Sequence, residues 1–123
     1  VSQDNQKTDF LSSELRFNLI KSIYNNHKKI EVLTYQGLTT DFVKKIDADF
    51  IIKGLRNSGD FVAESQMAQL NKVMLTELDT IFLDSSDLYR SISSSLVKQI
   101  YHLDGDISQF VSAKTLQFLS KLK

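Results

Sequence analysis

Two short apolar segments separated by one segment of helix length place the strongest constraint on how this chain folds. Phe50-Ile51-Ile52 is a continuous apolar run, as expected for a strand covered on both faces of a sheet. Thr80-Ile81-Phe82-Leu83 is a second strand-like segment, and residues 60–75 between the two are expected to form a helix. A strand, a helix and a strand in this order are typical of a βαβ crossover, which builds a parallel sheet.

The rest of the chain continues this alternation. Leu15, Leu19 and Ile23 recur every four residues and predict an amphipathic helix over about 12–26, with Ser12 as its N-cap. Further elements are expected as helices over 39–47, 93–103 and 112–122 and as strands over 30–35 and 49–53, with a polar loop over 84–92. We therefore expect an open α/β fold with a parallel sheet and helices on both faces. In such sheets ligands bind at the carboxyl ends of the strands, so the loops at 53–60 and 84–95 are expected at one edge.

The amino-acid composition excludes several classes of function. The 123 residues include 15 basic and 15 acidic side chains, so no global field steers the chain to nucleic acid or to membrane. Cysteine is absent, which excludes disulfides and thiol chemistry. No apolar run is long enough for a transmembrane span or a signal peptide. No linker-like segment interrupts the sequence, and residues 1–123 are expected to form a single domain in a cytoplasmic protein.

Lys53, Gly54 and Arg56 form the first candidate site. They follow a predicted strand, and glycine allows a ligand to approach the backbone closely. Two cations three residues apart around that glycine make a plausible phosphate site. The alternative is that both are ordinary exposed residues at a strand end.

The predicted helix after this loop carries a polar stripe. Asp60, Glu64, Met67 and Asn71 fall on one side at 100° per residue, next to an apolar stripe. Such a boundary can line a pocket with polar and apolar walls. It can equally mark the border between core and solvent.

Ser93, Ser94 and Ser95 form the third candidate. At a helix start they offer hydroxyls and free backbone N–H groups where the helix dipole favours an anion. Simple helix capping is the alternative. Other chemistries lack support, because His27 and His102 are far apart and have no partner at metal-ligand spacing.

Several segments, taken in order, resemble the bacterial phosphopantetheine adenylyltransferase family of the nucleotidyltransferases. Ile52-Lys53-Gly54-Leu55-Arg56 is similar to the family's Ile/Val-Arg-Gly-Leu-Arg, and Asp60-Phe61-x-x-Glu64 is similar to its Asp-Phe-x-x-Glu. The other matching segments are Leu11 to Arg16, Gly37-Leu38-Thr39-Thr40-Asp41-Phe42, Ile92 to Lys98 and Gly105-Asp106-Ile107. The resemblance implies a Rossmann-like nucleotidyltransferase fold, of which this chain would be the C-terminal three quarters.

The resemblance also implies a reaction and its participants. ATP, bound to Mg²⁺, would donate its adenylyl group to 4′-phosphopantetheine, giving dephospho-coenzyme A and pyrophosphate. No metal-ligating side chain of the chain itself is expected. The phosphopantetheine site would comprise Lys7, Leu38, Thr39, Lys53, Met67 and Asn71. The ATP site would comprise Gly54, Leu55, Arg56, Glu64, Tyr89, Arg90, Ser91, Ile92, Ser93, Ser94 and Ser95. A homo-oligomer, typically a hexamer, is expected, with dephospho-coenzyme A or coenzyme A as product or inhibitor.

The sequence departs from the family pattern in two important ways. Lys53 stands where the family usually has arginine, which keeps the charge but loses the bidentate fork. The family's N-terminal strand and its Thr/His-x-Gly-His motif do not occur between Val1 and Lys123. No catalytic residue is therefore assigned within the chain, and we expect the 123-residue chain alone to be inactive and poorly stable.

Two other interpretations remain open at this point. One is a non-catalytic remnant that binds only nucleotide, coenzyme A or a partner chain. The other is a related cytidylyl- or adenylyltransferase with another acceptor, against which the Asp60-Phe61-x-x-Glu64 segment argues.

Overall fold

The computed structural model of the chain describes residues 1–4 and 10–122. Lys7, which the resemblance assigns to phosphopantetheine, lies outside the described residues. In chain order the elements are α1 (Ser13–Tyr24), α2 (Thr39–Ile46), β1 (Phe50–Leu55), α3 (Ser58–Met74), β2 (Asp79–Asp84), α4 (Asp87–Arg90), α5 (Ser94–His102) and α6 (Ala113–Leu119). None of the described helices combines the length and apolarity needed to cross a bilayer.

The described residues group into two compact units. One, here called the central unit, comprises Gly37–Ile92. The other, here called the terminal unit, comprises Val1–Gln36 together with Ser93–Lys123. The prediction of a single domain over residues 1–123 stays a prediction.

The central unit contains the predicted βαβ crossover. Strands β1 and β2 pair in parallel, with Phe50 opposite Asp79 and Leu55 opposite Asp84, and α3 connects them. Helix α3 packs against both strands, where Phe61 meets Phe82 edge to face with ring centroids 5.8 Å apart. The α/β class with a parallel sheet flanked by helices is thereby confirmed.

The two faces of this sheet differ in their burial. Alternate residues of β1 are half-buried, whereas Phe50 is 55% exposed and Ile52 is 63% exposed. On the same face β2 exposes Ile81 and Leu83. The prediction that Phe50-Ile51-Ile52 is covered on both faces is therefore wrong for these two residues, because α3 covers only the opposite face.

The terminal unit is helical. Ser12 accepts a hydrogen bond from the Leu15 amide, which confirms its N-cap role for α1. Helix α6 packs against α1, and Lys114 Nζ donates to the Ser22 carbonyl at 2.9 Å near the C-terminal end of α1. The core of this unit includes Leu19, Ile107 and Leu119.

Two predicted elements differ from the structure. Residues 30–35 do not form a strand. Within the described ranges 1–4 and 10–122, the short segment Val1–Gln3 pairs with them, and the result is one isolated bridge between Ser2 and Tyr35. The predicted polar loop 84–92 contains the one-turn helix α4. That turn is supported by an ion pair between Arg90 and Asp87 three residues earlier, at 3.1 Å.

Candidate functional site

The carboxyl ends of β1 and β2 lie side by side, because the two strands are parallel and in register up to Leu55 and Asp84. The Ser85 amide continues the pairing by donating to the Leu55 carbonyl at 2.8 Å. The segments that follow the two strands within the central unit therefore start at the same sheet edge, as predicted. Lys53, Gly54 and Leu55 are the last residues of β1, and Arg56 is the first residue beyond it.

Arg56 is the most extensively bonded cation at this edge. Its Nε donates to Asp60 Oδ2 at 3.0 Å and its Nη2 donates to Asp60 Oδ1 at 3.2 Å. Its backbone amide donates to Asp60 Oδ2 at 3.0 Å, and its Nη1 donates to the Ile92 carbonyl at 3.3 Å. Arg56 thus links the segment after β1 to the segment after β2.

Asp60 stands in the first turn of α3. The helix begins at Ser58, because Asn57 before it acts as the N-cap and its side chain accepts a hydrogen bond from the Asp60 amide at 2.9 Å. The Arg56 side chain, and next the Arg56 amide, hold the pKa of the Asp60 carboxyl below its ordinary value of 3.8 by donating hydrogen bonds to it. Asp60 is consequently a carboxylate throughout the neutral range.

Lys53 forms a looser pair with the next carboxylate along α3. Its Nζ lies 3.1 Å from Glu64 Oε2, and both side chains are about one-third exposed, at 38% and 33%. A pair of this exposure contributes about 0–1 kcal/mol to stability. Because one ion pair holds it among the described residues, the Lys53 ammonium can turn to an incoming anion at small cost.

Gly54 lies between the two cations in an open stretch of backbone. A Cβ built on it meets no heavy atom within 4 Å, and its φ is not in the left-handed region. The described part of the fold therefore does not require glycine at this position. A ligand that approaches the backbone of residue 54 would require it.

The predicted nucleotide residues after β2 lie in and around α4. Arg90 Nη2 lies 2.6 Å from Asp84 Oδ2, so this cation is held next to the end of β2. Tyr89 and Ser91 are exposed, and Ile92 is half-buried. Among the four residues, Ile92 is brought together with Arg56 through its carbonyl.

The three serines belong to the terminal unit, at the start of α5. Ser93 is the N-cap, and its hydroxyl accepts a hydrogen bond from the Leu96 amide at 3.2 Å. The predicted helix start is thereby confirmed, and Ser94 and Ser95 are exposed residues of the first turn. Their role toward a nucleotide stays a prediction.

The remaining phosphopantetheine candidates lie on two helices that pack together, α2 and α3. Leu38 is the exposed N-cap of α2, and Thr39 is its half-buried first residue. On α3, Asn71 is buried and Met67 is exposed. Four residues apart, Met67 and Asn71 lie on the same side of α3, and their role toward pantetheine stays a prediction.

Asp60 is the functional candidate that sequence reasoning left out of the site. It entered only as one member of the stripe on α3 and as part of the segment Asp60-Phe61-x-x-Glu64, without a role in the site. Its signal is the pattern Asn57-x-x-Asp60 at a helix start, which resembles a capping box, but here the acidic side chain reaches back one residue further, to the Arg56 amide.

The described residues include no group of three His, Cys, Asp or Glu side chains placed to hold a metal ion. A cavity of about 340 Å³ lies at the opposite end of β1, lined among others by Asp49, Phe50 and Leu78. It is remote from the carboxyl ends of the strands, where parallel sheets bind ligands.

The arrangement at the sheet edge can bind phosphate groups. It combines one firmly held guanidinium, one loosely held ammonium and an unobstructed backbone between them. Both cations are half-buried, so their charges are less screened than those of fully exposed side chains.

Comparison with known proteins identifies the family and the relatives of this chain. The family model described as cytidylyltransferase-like matches residues 1–100. A protein of Lachnoclostridium phytofermentans named phosphopantetheine adenylyltransferase is 39% identical over 119 residues, which cover 97% of this chain and 73% of that protein. Proteins of the same name from Paraburkholderia xenovorans and Clostridium perfringens are 34% and 40% identical, and the matches cover 71% and 70% of their lengths. They cover 98% and 94% of this chain.

Proposed function

The chain belongs to the cytidylyltransferase-like family, together with the phosphopantetheine adenylyltransferases that it matches, and we propose that it serves their reaction. In that reaction the adenylyl group of ATP passes to 4′-phosphopantetheine, which yields dephospho-coenzyme A and pyrophosphate. The observation that carries the proposal is the placement of Lys53, Gly54 and Arg56 at the carboxyl end of β1.

This reaction requires the protein mainly to position the two substrates and to stabilise their negative charge. A phosphate oxygen of 4′-phosphopantetheine attacks the α-phosphorus of ATP, the bond from that phosphorus to the oxygen bridging it to the β-phosphate breaks, and pyrophosphate leaves. The nucleophile is already an anion, so no side chain has to remove a proton from it. Two anions must instead be brought together in line, which requires cations on both sides.

The site supplies one cation for each substrate in this proposal. Lys53 binds the phosphate of phosphopantetheine, and Arg56 binds the triphosphate of ATP. The backbone of Gly54 and Leu55 lies between them and lets the phosphates approach. By resemblance, the residues assigned to ATP also include Glu64 of α3, Tyr89, Arg90, Ser91, Ile92, Ser93, Ser94 and Ser95.

The proposed function also involves a metal ion, contacts to the pantetheine arm and an oligomeric state. Mg²⁺ enters as Mg-ATP, the form in which the nucleotide is a substrate. Leu38, Thr39, Met67 and Asn71 border the pantetheine arm, which needs apolar contact along its methyl groups and polar contact at its amides. The protein acts as a homo-oligomer in the cytoplasm, a hexamer by resemblance, and dephospho-coenzyme A or coenzyme A binds the same site.

The second candidate function is binding without transfer. The comparisons do not favour it, because the matched relatives carry the name of a transferase. In that case the chain binds nucleotide or coenzyme A and releases no pyrophosphate.

One experiment separates the two functions. Pyrophosphate release from Mg-ATP is measured with 4′-phosphopantetheine, with pantetheine lacking the phosphate, and without acceptor, on protein of recorded intact mass. Release that requires the phosphorylated acceptor, with dephospho-coenzyme A identified by its mass, supports the transferase. Binding of Mg-ATP without release supports the binding function. Release with CTP in place of ATP contradicts adenylyl transfer and indicates a cytidylyltransferase.

A further inference from the structure

The pair of Arg56 and Asp60 is built differently from the other ion pairs of the central unit. Asp60 receives three hydrogen bonds from Arg56, two from the guanidinium and one from the backbone amide. The two guanidinium bonds form a planar fork, which fixes the orientation of the arginine as well as its position. The pair of Lys53 and Glu64 has one contact.

Asp60 is itself held by the start of α3. Asn57 caps the Asp60 amide, and the carboxylate lies in the first turn of a 17-residue helix, where the helix dipole favours a negative charge. The helix packs on the sheet whose strand β1 ends just before Arg56. The Asp60 carboxylate is therefore fixed in position, and its hydrogen bonds fix the Arg56 guanidinium as well.

The fork leaves part of the guanidinium available. Nε, Nη1 and Nη2 each donate once within the described residues, to Asp60 and to the Ile92 carbonyl, which uses three of the five N–H groups. The two remaining N–H groups belong to Nη1 and Nη2. An anion that meets them meets a guanidinium whose side-chain entropy has already been lost.

We propose that Asp60 is a positioning residue that holds Arg56 in the orientation in which its free Nη1 and Nη2 donors bind a phosphate group of the nucleotide. This inference rests on the proposed function, to which it adds a residue that contacts no substrate. It predicts a change in Mg-ATP affinity whose sign is opposite to the one expected from charge alone. Removing the charge of Asp60 makes the site more positive and by long-range electrostatics alone would strengthen anion binding, whereas loss of positioning weakens it.

The test compares affinities of the full chain for Mg-ATP and for adenosine, measured by calorimetry. For Asp60→Asn we expect the dissociation constant of Mg-ATP to rise about tenfold, the size of a lost charge-assisted contact, while that of adenosine stays the same. The matched control is Asp79→Asn, which also removes a carboxylate from an ion pair, with Lys72, at the other end of β2. It should leave both constants unchanged.

Two further variants separate positioning from a merely structural role. Asp60→Glu keeps the charge and should recover part of the affinity. In Arg56→Lys the fork is lost already, so adding Asp60→Asn to it should weaken Mg-ATP binding little further. A merely structural role would weaken Mg-ATP and adenosine together and would lower the thermal unfolding temperature in proportion.

The result for Asp60 is independent of whether adenylyl transfer is observed. Unchanged or tighter Mg-ATP binding by Asp60→Asn overturns the positioning role, even if adenylyl transfer is observed. Weaker binding with unchanged adenosine affinity establishes that role, even if no pyrophosphate is released. A wild-type chain that binds no Mg-ATP overturns the inference as well.

Discussion

Lys53 and Glu64 form an ion pair, with Lys53 Nζ 3.1 Å from Glu64 Oε2, although the resemblance assigns the lysine to phosphopantetheine and the glutamate to ATP. The pairing places the proposed sites of the two substrates next to each other in the central unit. If Lys53 binds the acceptor phosphate as proposed, that phosphate competes with Glu64 for Lys53. Because both side chains are about one-third exposed and the pair is formed by one contact, the competition costs about 1 kcal/mol or less.

Replacing Lys53 tests the acceptor site. Lys53→Ala should weaken 4′-phosphopantetheine binding by a factor of about 10–100, the equivalent of one charge-assisted contact, and should leave pantetheine binding unchanged. Calorimetric titration with both compounds measures this. Lys72→Ala is the control, since Lys72 is also paired with a carboxylate, Asp79, at the far end of the sheet. Equal weakening by the two alanine variants would refute the assignment of Lys53.

Replacing Glu64 should have the opposite effect on the acceptor. Glu64→Gln releases Lys53 from its partner, so we expect 4′-phosphopantetheine to bind up to about fivefold more tightly, which corresponds to the loss of an exposed pair. The free energy of unfolding should fall by about 1 kcal/mol or less. If Glu64 also contacts ATP, the same variant weakens Mg-ATP binding. An acceptor affinity that drops in Glu64→Gln would show that Lys53 needs Glu64 to be positioned.

Gly54 and Gly105 differ in what requires a glycine. At residue 54 it is the proposed ligand, and at residue 105 it is the packing of the fold. A Cβ at residue 54 meets nothing within 4 Å, whereas a Cβ at residue 105 lies 2.6 Å from a methyl carbon of Ile100 and 3.1 Å from its carbonyl oxygen. Gly54→Ala should therefore change the free energy of unfolding by less than about 1 kcal/mol and yet weaken Mg-ATP binding. Gly105→Ala should cost about 1–3 kcal/mol of stability through overpacking. Urea unfolding measures the stabilities, and unchanged Mg-ATP affinity in Gly54→Ala would contradict a close ligand approach there.

The helices and the βαβ unit could be predicted from the sequence because their signals are local. Ser12 is an N-cap in the structure as predicted, and of the two predicted helix starts Ser93 and Ser94 the structure has Ser93 as the N-cap. A serine hydroxyl before an apolar periodic segment can accept a hydrogen bond from the first turn without help from distant residues. The strand predicted over 30–35 failed because a strand needs a partner, and among the described residues this segment forms one isolated bridge, between Tyr35 and Ser2. Alternation along one segment carries no information about what lies beside it.

The site was predictable in its residue types but not in its pairings. Lys53, Gly54 and Arg56 stood out because two cations flank a glycine at a strand end. The contacts of Arg56 with Asp60 and with the Ile92 carbonyl depend on how α3 and the segment after β2 reach the sheet edge. Sequence spacing does not contain that geometry, and for this reason the sequence assigned Asp60 no contact with Arg56.

The two faces of the sheet predict a contrast between two leucines near its ends. Leu78 is 3% exposed and contributes to the core, whereas Leu83 is 56% exposed on the uncovered face. Leu78→Ala should lower the free energy of unfolding by about 2–5 kcal/mol, and Leu83→Ala should change it by less than about 1 kcal/mol. Urea unfolding of the two variants measures both values. A cost of several kcal/mol for Leu83→Ala would show that other protein covers this face in solution, for example a second copy of the chain.

Acid should remove the contribution of Asp60 to stability. Hydrogen bonds from the Arg56 side chain and amide lower the pKa of Asp60 in the folded chain below its ordinary value of 3.8. A carboxyl whose pKa is lower in the folded state stabilises that state fully above its unfolded pKa, and the contribution is lost as the pH falls through the folded pKa. The difference in unfolding free energy between wild type and Asp60→Asn should therefore be constant from about pH 7 to about pH 5 and shrink below about pH 4.

Asp106→Asn is the informative companion to this measurement. Hydrogen bonds from the Ser108 amide and hydroxyl also lower the pKa of Asp106, so its contribution to stability should be lost over the same acid range. Asp106 lies in the terminal unit and outside the proposed site, so its replacement should leave Mg-ATP affinity unchanged at neutral pH. Acid-dependent stability in both variants, with weakened Mg-ATP binding in Asp60→Asn alone, would tie the bonded state of Asp60 to the nucleotide. A stability difference for Asp60→Asn that persists unchanged into strong acid would show that the carboxylate is not held by Arg56 in solution.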